Sequence, residues 1–191
     1  DPAVNWCYRT EPDPGLGGRR DYWPRGKLLG GSSAINAMVY IRGHRSDYED
    51  WAAAGNPGWG WPEVLAAYKA MEDNEAGADQ WRGRSGPLFV SANDRARHPL
   101  YEAFLASVQA AGLQAHADFN GARQEGVGGY QLTVKDGIRM SAARAFLRPA
   151  MKRANVRVLT RALVTRIVMD GRRATGVAFS QGGRAQVAHA K

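Results

Sequence analysis

The stretch Pro24–Gly43, PRGKLLGGSSAINAMVYIRG, constrains this chain more than any other. Arg25 and Lys27 lead into Gly30-Gly31-Ser32-Ser33, and an apolar run from Ala34 to Ile41 follows, interrupted by the amide of Asn36. Adjacent glycines can take positive φ and let a second body approach the main chain. The serine hydroxyls and freed N–H groups can face an anion or a heteroaromatic ring. The spacing predicts a loop and then a buried segment, in which a buried Asn36 amide needs a definite partner. The same residues also fit a plain tight turn ahead of a buried helix or strand, because Gly-Gly-Ser-Ser constrains far less than a full phosphate-loop motif.

Gly26, Lys27, Leu28, Leu29, Gly30, Gly31, Ser32, Ser33, Ala34, Ile35 and Asn36 follow one ordered pattern: small, basic, any, aliphatic, Gly-Gly, two hydroxyl-type residues, any, aliphatic, Asn. That pattern resembles the first signature of the glucose-methanol-choline (GMC) family of flavin oxidoreductases. The resemblance continues through YIRGHRSDYEDWAAAGNPGWGW, SGPLFVS, DFNGARQEGVGGYQ and LVTRIVMDGRRATGV, and is to the choline-dehydrogenase and alcohol-dehydrogenase-like branch. It implies an α/β fold: part of a Rossmann-like FAD-binding domain with a β-hairpin sheet, plus part of the substrate-binding region. The implied divisions are residues 1–91 in the FAD-binding domain, 92–153 toward the substrate, and 154–191 as strands returning to the FAD-binding domain.

The resemblance also implies an activity, the oxidation of an alcohol CH–OH group by hydride transfer to FAD, with the electron acceptor left open. The backbone at Leu28, the Gly30-Gly31-Ser32 turn and the run Asn36, Ala37, Met38 and Val39 are implied to line the flavin, and the backbone of Val164 to meet its adenine edge. Some family members carry a flavin-linked histidine where Ile35 stands, and isoleucine has no nucleophilic atom, so FAD is expected to be non-covalent. The catalytic histidine is expected beyond Lys191, and the Gly-rich dinucleotide fingerprint upstream of Asp1. None of His44, His98, His116 and His189 stands in the family's catalytic context, so no catalytic residue is assigned. Two other readings remain open: a hydroxynitrile-lyase-like enzyme on the same scaffold, and a non-enzymatic basic binding domain.

The chain's 191 residues are 44% hydrophobic and 23% charged, which excludes a disordered or fibrous class. The formal charge of +8 comes from arginines spread along the sequence rather than packed into a basic arm, a pattern expected of a solvated surface and not of a nucleic-acid binder. No apolar run approaches the ~20 residues needed to span a bilayer. The single Cys7 and the scattered histidines offer neither a disulfide framework nor a metal cluster, and fit a reducing, cytoplasmic setting.

Local signals fill in the rest. Residues 1–22 are expected to be extended, then a loop. Ser46 and Glu49 have capping-box spacing for a helix that stops at Gly55. Gly58-Trp59-Gly60-Trp61 reads as a corner packed by its tryptophans, and Pro62 as the first residue of a helix with Val64, Leu65, Tyr68 and Met71 on one face. Residues 72–84 read as a polar surface excursion before a strand at 88–91. Pro99 opens a helix with Phe104, Leu105 and Val108 as its apolar face and Gly112 as its stop. Residues 118–129 form an irregular loop expected on the substrate side. Ser141 caps a helix from 142 to about 152 that Pro149 kinks or ends. Val156 and Val158, then Leu163 to Val168, then Val177 and Phe179 anchor three strands, with Asp170-Gly171 as an I′ turn and 184–190 as a fourth strand.

Overall fold

The computed structural model describes residues 1–92 and 98–190, which form a mixed α/β fold in two compact units, Asp1–Pro149 and the chain from Ala150 onward. No helix among the described residues is long and apolar enough to cross a membrane.

The first unit opens with the short antiparallel pair β1 (Tyr8–Arg9) and β2 (Tyr22–Trp23), joined through a turn of 3-10 helix at Pro14–Leu16. This is the extended entry and loop that the prolines and glycines require. A second 3-10 turn, Gly31–Ala34, carries the Gly-Gly-Ser-Ser segment and leads to β3 (Val39–Tyr40). The apolar run after it is not buried as a block. It alternates, with Tyr40 and Arg42 inside and Val39 and Ile41 exposed, which is the period-2 pattern of an extended segment with one covered face.

Helix α1 is Arg45–Ala53, and its cap corrects the sequence expectation. The capping box pairs His44 with Asp47: the His44 N–H donates to Asp47 Oδ2 at 3.0 Å, while Ser46 lies inside the first turn and Glu49 beyond it. An imidazole nitrogen can accept a backbone N–H as a hydroxyl does, and His44 Nδ1 takes the Ser46 N–H at 3.3 Å. Gly55 follows the helix at φ +93°, the left-handed stop its position predicts. Helix α2, Trp61–Met71, has Pro62 one residue later than expected, and Val64, Leu65, Tyr68 and Met71 are half-buried on one face. Of the corner tryptophans only Trp61 is buried. Trp51 and Trp59 meet edge-on at 5.6 Å and stay exposed.

Residues 72–84 are a surface excursion only in part, with 76, 78–80 and 84 exposed. Glu72–Asn74 form β4, parallel to β5 (Leu88–Val90), and Glu72, Asn74, Arg82 and Gly83 are buried. The polarity that suggested a loop is matched inside the protein by partners of opposite charge. Helix α3, Pro99–Ala110, starts and stops as its proline and Gly112 predict, with Leu105 and Val108 half-buried, but Phe104 is exposed.

Three short strands follow: β6 (Gln131–Leu132), β7 (Val134–Lys135) and β8 (Ile138–Arg139). β6 pairs antiparallel with β3 and, through the bridge between Leu132 and Ser91, with the residue after β5. β7 and β8 form a hairpin around Asp136-Gly137, both at positive φ. The helical segment after Ser141 contains a π turn over Ala143–Leu147 and one α turn, Arg148–Ala150. Pro149 has no N–H to continue the α ladder, and the wider turn precedes it.

The second unit is an antiparallel sheet of β9 (Ala162–Asp170), β10 (Arg173–Gln181) and β11 (Arg184–His189), ordered β11-β10-β9. Val156 and Val158 do not form a strand. The β9–β10 turn has positive φ at Gly171 alone, so it is not the expected I′ type, which needs positive φ at both central residues. Gly182-Gly183, both at positive φ, form the turn into β11.

Candidate flavin-facing site

The site builds up from Gly26 to Val39. A Cβ on Gly26 would collide with the Gly31 carbonyl, so only glycine lets the two strands of this loop lie together. The Gly26 N–H donates to Ser32 Oγ at 3.2 Å, and the Gly31 N–H to the Leu28 carbonyl at 2.9 Å. Gly30, at φ +94°, lies against Ser141 and Ala143. Ser33 ties these parts together: its hydroxyl donates to the Gly30 carbonyl at 2.5 Å and accepts the Ala142 N–H at 2.8 Å. Ser33 is therefore the serine that holds the loop on the 142–150 helix, while Ser32 is exposed.

Asn36 is exposed rather than buried, yet its oxygen has definite partners. Asn36 Oδ1 accepts from Arg139 Nη1 at 2.7 Å and from the Met38 N–H at 3.0 Å. The same Arg139 Nη1 reaches the carbonyls of Asn36 at 2.7 Å and Ser33 at 3.2 Å. Met38 sits at φ +63°, a strained position for a residue with a side chain, and its carbonyl is held by the Thr133 N–H at 2.8 Å. Leu28, Leu29 and Val39 are exposed beside this turn. The surface thus combines an open Gly-Ser backbone, apolar side chains and an amide whose NH2 donates to no group among the described residues.

A flavin needs backbone or amide donors at its polar edge and apolar walls elsewhere, and this donor set fits one. Leu28, Gly30, Gly31, Ser32, Asn36, Ala37, Met38 and Val39 lie along one continuous segment of the first unit. Val164 lies in the second unit on β9, opposite Phe179, with its side chain exposed. β9 is an edge strand of its sheet, and a register irregularity falls beside Val164.

Directly behind β3 is a buried charge network that residue spacing did not disclose. Glu72 accepts from Arg82 Nε at 3.0 Å and Nη2 at 3.2 Å, and from the Gly83 N–H at 2.5 Å. Arg42 Nη2 stands 2.9 Å from Glu72 Oε1, an ion pair without hydrogen-bond alignment. Arg82 Nη1 continues to Asp118 Oδ2 and Gln131 Oε1, both at 2.6 Å. Asn120 then returns to β3, accepting the Arg42 N–H at 2.8 Å and donating to the Tyr40 carbonyl at 3.1 Å. The 118–130 loop is therefore anchored at Asp118 and Asn120, while Ala122, Arg123, Glu125 and Tyr130 remain exposed. A small cleft of about 100 Å3 opens beside it, bordered by His44, Arg45, Trp61, Trp81 and Gln124.

The family model described as GMC oxidoreductase matches residues 14–191. The chain belongs to the GMC oxidoreductase family. It is 46% identical over 180 residues to an oxygen-dependent choline dehydrogenase of Brucella anthropi, covering 94% of this chain and 32% of that protein. It is 45% identical over 190 residues to the mitochondrial choline dehydrogenase of Homo sapiens, covering 100% of this chain and again 32% of the relative. Among solved structures, pyridoxine 4-oxidase from "Mesorbium loti" superimposes with a TM-score of 0.90 at 35% identity, over 97% of this chain and 37% of that one. The chain thus spans about a third of the length of the curated relatives it matches.

Arg139, Thr133, Glu72 and Arg82 are the residues around the site that sequence reasoning missed. Asp136-Gly137, a hairpin signal, could have placed Arg139 on a strand end. Nothing local could have named its partner.

Proposed function

We propose that this GMC-family chain supplies the flavin-facing wall of an FAD-dependent oxidoreductase acting on the CH–OH group of a small alcohol. The observation that carries the reading is the Asn36 amide: its oxygen is committed to two donors, and its NH2, on an exposed residue beside an open glycine-serine turn, donates to no group among the described residues. Family membership and the choline dehydrogenase relatives support the chemistry.

In this reading Asn36 Nδ2 offers a hydrogen bond to an acceptor on the flavin, and the Leu28 backbone and residues 37–39 provide the wall against it. Gly31 keeps the main chain open, since nothing lies within 4 Å of where a Cβ would stand. FAD, when bound, accepts the hydride removed from the alcohol. Binding is non-covalent, because Ile35 has no atom that could bond to the ring. The 118–130 loop belongs to the substrate side, and the assignment of Val164 to the adenine edge rests on the family resemblance alone. His44 and His98 receive no proton-transfer role, since each spends its Nδ1 on capping a helix.

The decisive measurement is on the intact protein. It is expected to purify with visible flavin absorbance, released by denaturation without a covalent remainder, and to bleach anaerobically on adding choline or another small alcohol. An intact protein that neither carries nor binds FAD would sink the reading. The compartment is part of the same proposal: the single Cys7 fits a reducing, cytoplasmic setting, whereas the human relative is named as mitochondrial. Localising the tagged intact protein decides between them.

A further inference from the structure

We propose that Arg139 is the positioning residue for Asn36, fixing the amide with its NH2 turned outward as the donor that a ligand meets. The inference rests on the flavin reading above and deepens it. Two donors, Arg139 Nη1 and the Met38 N–H, converge on one terminal atom of Asn36, at 2.7 and 3.0 Å. Only a carbonyl oxygen can satisfy both, so the amide orientation is set by charge and not by packing. Without the guanidinium, the Met38 N–H alone would bias an exposed amide that can otherwise rotate freely.

Arginine suits this place for a second reason. The 3-10 turn Gly31–Ala34 ends at Ile35, and its last carbonyls need donors. Arg139 reaches the carbonyl of Ser33 at 3.2 Å and that of Asn36 at 2.7 Å while it holds the side chain. All three oxygens converge on Nη1, and the rigid, permanently charged guanidinium plane holds that nitrogen in place, whereas a lysine ammonium is a mobile point charge. The guanidinium itself is held from behind. Arg139 ends β8, paired with Val134 of β7, and Thr133, just before β7, grips the Met38 carbonyl through its N–H at 2.8 Å and its hydroxyl at 3.2 Å. One hairpin therefore pins both ends of residues 36–38.

The test uses the intact protein in five forms: wild type, Asn36→Ala, Arg139→Met, Arg139→Lys and the double variant Asn36→Ala/Arg139→Met. The dissociation constant for FAD is read from quenching of flavin fluorescence, the two-electron reduction potential from dye equilibration, and the urea midpoint as a control for folding. Asn36→Ala is expected to weaken FAD about tenfold, the effect of one hydrogen bond. Arg139→Met is expected to match it in affinity and to shift the potential in the same direction. The double variant should be no worse than either single one, because both remove the same contact. Arg139→Lys should recover part of the loss.

A merely structural arginine would lower the urea midpoint, leave the potential of the bound flavin unchanged, and give losses that multiply in the double variant. Those results would overturn the positioning role. So would Arg139→Met binding FAD like wild type while Asn36→Ala does not, an outcome that leaves the flavin reading standing. Wild-type protein that binds no FAD would overturn both. Should Arg139→Met fail to fold, Arg139→Gln, which keeps donors for the two backbone carbonyls, carries the same comparison.

Discussion

Glu72 is a carboxylate with none of its side chain exposed, and burial alone would drive its pKa up. The Arg82 hydrogen bonds, the Gly83 N–H and the charges of Arg42 and Arg82 outweigh burial and hold it below the ordinary carboxylate value. Its folded pKa is depressed, so the unfolded state binds more protons in acid. The stabilisation is fully present above pH 4.5, the ordinary value, and is lost as pH falls through the folded pKa. Glu72→Gln leaves the buried Arg42 guanidinium without its carboxylate and Arg82 to Asp118, and is expected to cost about 3 kcal/mol in urea denaturation of the intact protein, with a flatter acid limb. Tyr40 behaves in the opposite sense. Burial and the nearby Glu72 carboxylate push its phenol up to about 12, and its hydroxyl has no well-aligned hydrogen-bond partner among the described residues. A raised folded pKa gives stability that is fully present below pH 10 and is lost as pH rises toward 12. Tyr40→Phe should be neutral or stabilising at pH 7, because it removes an unsatisfied buried group, and should make the alkaline loss shallower.

At the scale of an element, α1 offers a clean contrast between two caps. Spacing pointed to Ser46 and Glu49, whereas the helix uses His44 and Asp47. Asp47→Ala removes the carboxylate that accepts the His44 N–H and is expected to cost about 1 kcal/mol. Ser46→Ala removes only a side-chain contact to His44 Nδ1 and should cost clearly less. Equal losses in thermal denaturation, or the reverse order, would contradict the His44 cap. The strand β4 teaches the complementary lesson. Its sequence, Glu-Asp-Asn, has low strand propensity, yet it pairs in register with Leu88–Val90 because Arg82 and Arg42 neutralise the charge that enters with it. Propensity yields there to a partner ten residues away.

For the whole molecule, the balance of buried and exposed apolar surface is unusual. Val90, Tyr48 and Phe179 are buried, whereas Leu163, Val164, Ile167 and Met169 of β9, and Leu28, Leu29 and Val39 beside the candidate site, are exposed. Exposed apolar area this extensive marks surface that another polypeptide segment or a ligand covers. The 191-residue chain expressed alone is therefore expected to bind a hydrophobic dye such as 1-anilinonaphthalene-8-sulfonate strongly and to self-associate as concentration rises. It is also expected to bind FAD weakly and to show no turnover. A monodisperse, dye-silent chain carrying stoichiometric flavin would contradict this.

The sequence by itself determined what depends on neighbours along the chain. Glycines at 55, 112 and 182–183 set helix stops and a turn through φ, prolines 62 and 99 mark helix starts, and the ordered motif at 26–36 located the candidate site. These features follow from steric limits that a few consecutive residues impose. Tertiary structure alone decided which polar groups are buried and what they meet. Arg139 finds Asn36 across 103 residues, and Asn120 finds the Tyr40 carbonyl across 80. Whether a charge enters the interior depends on the desolvation cost set against partners the fold brings together, and no local pattern of residues encodes that balance.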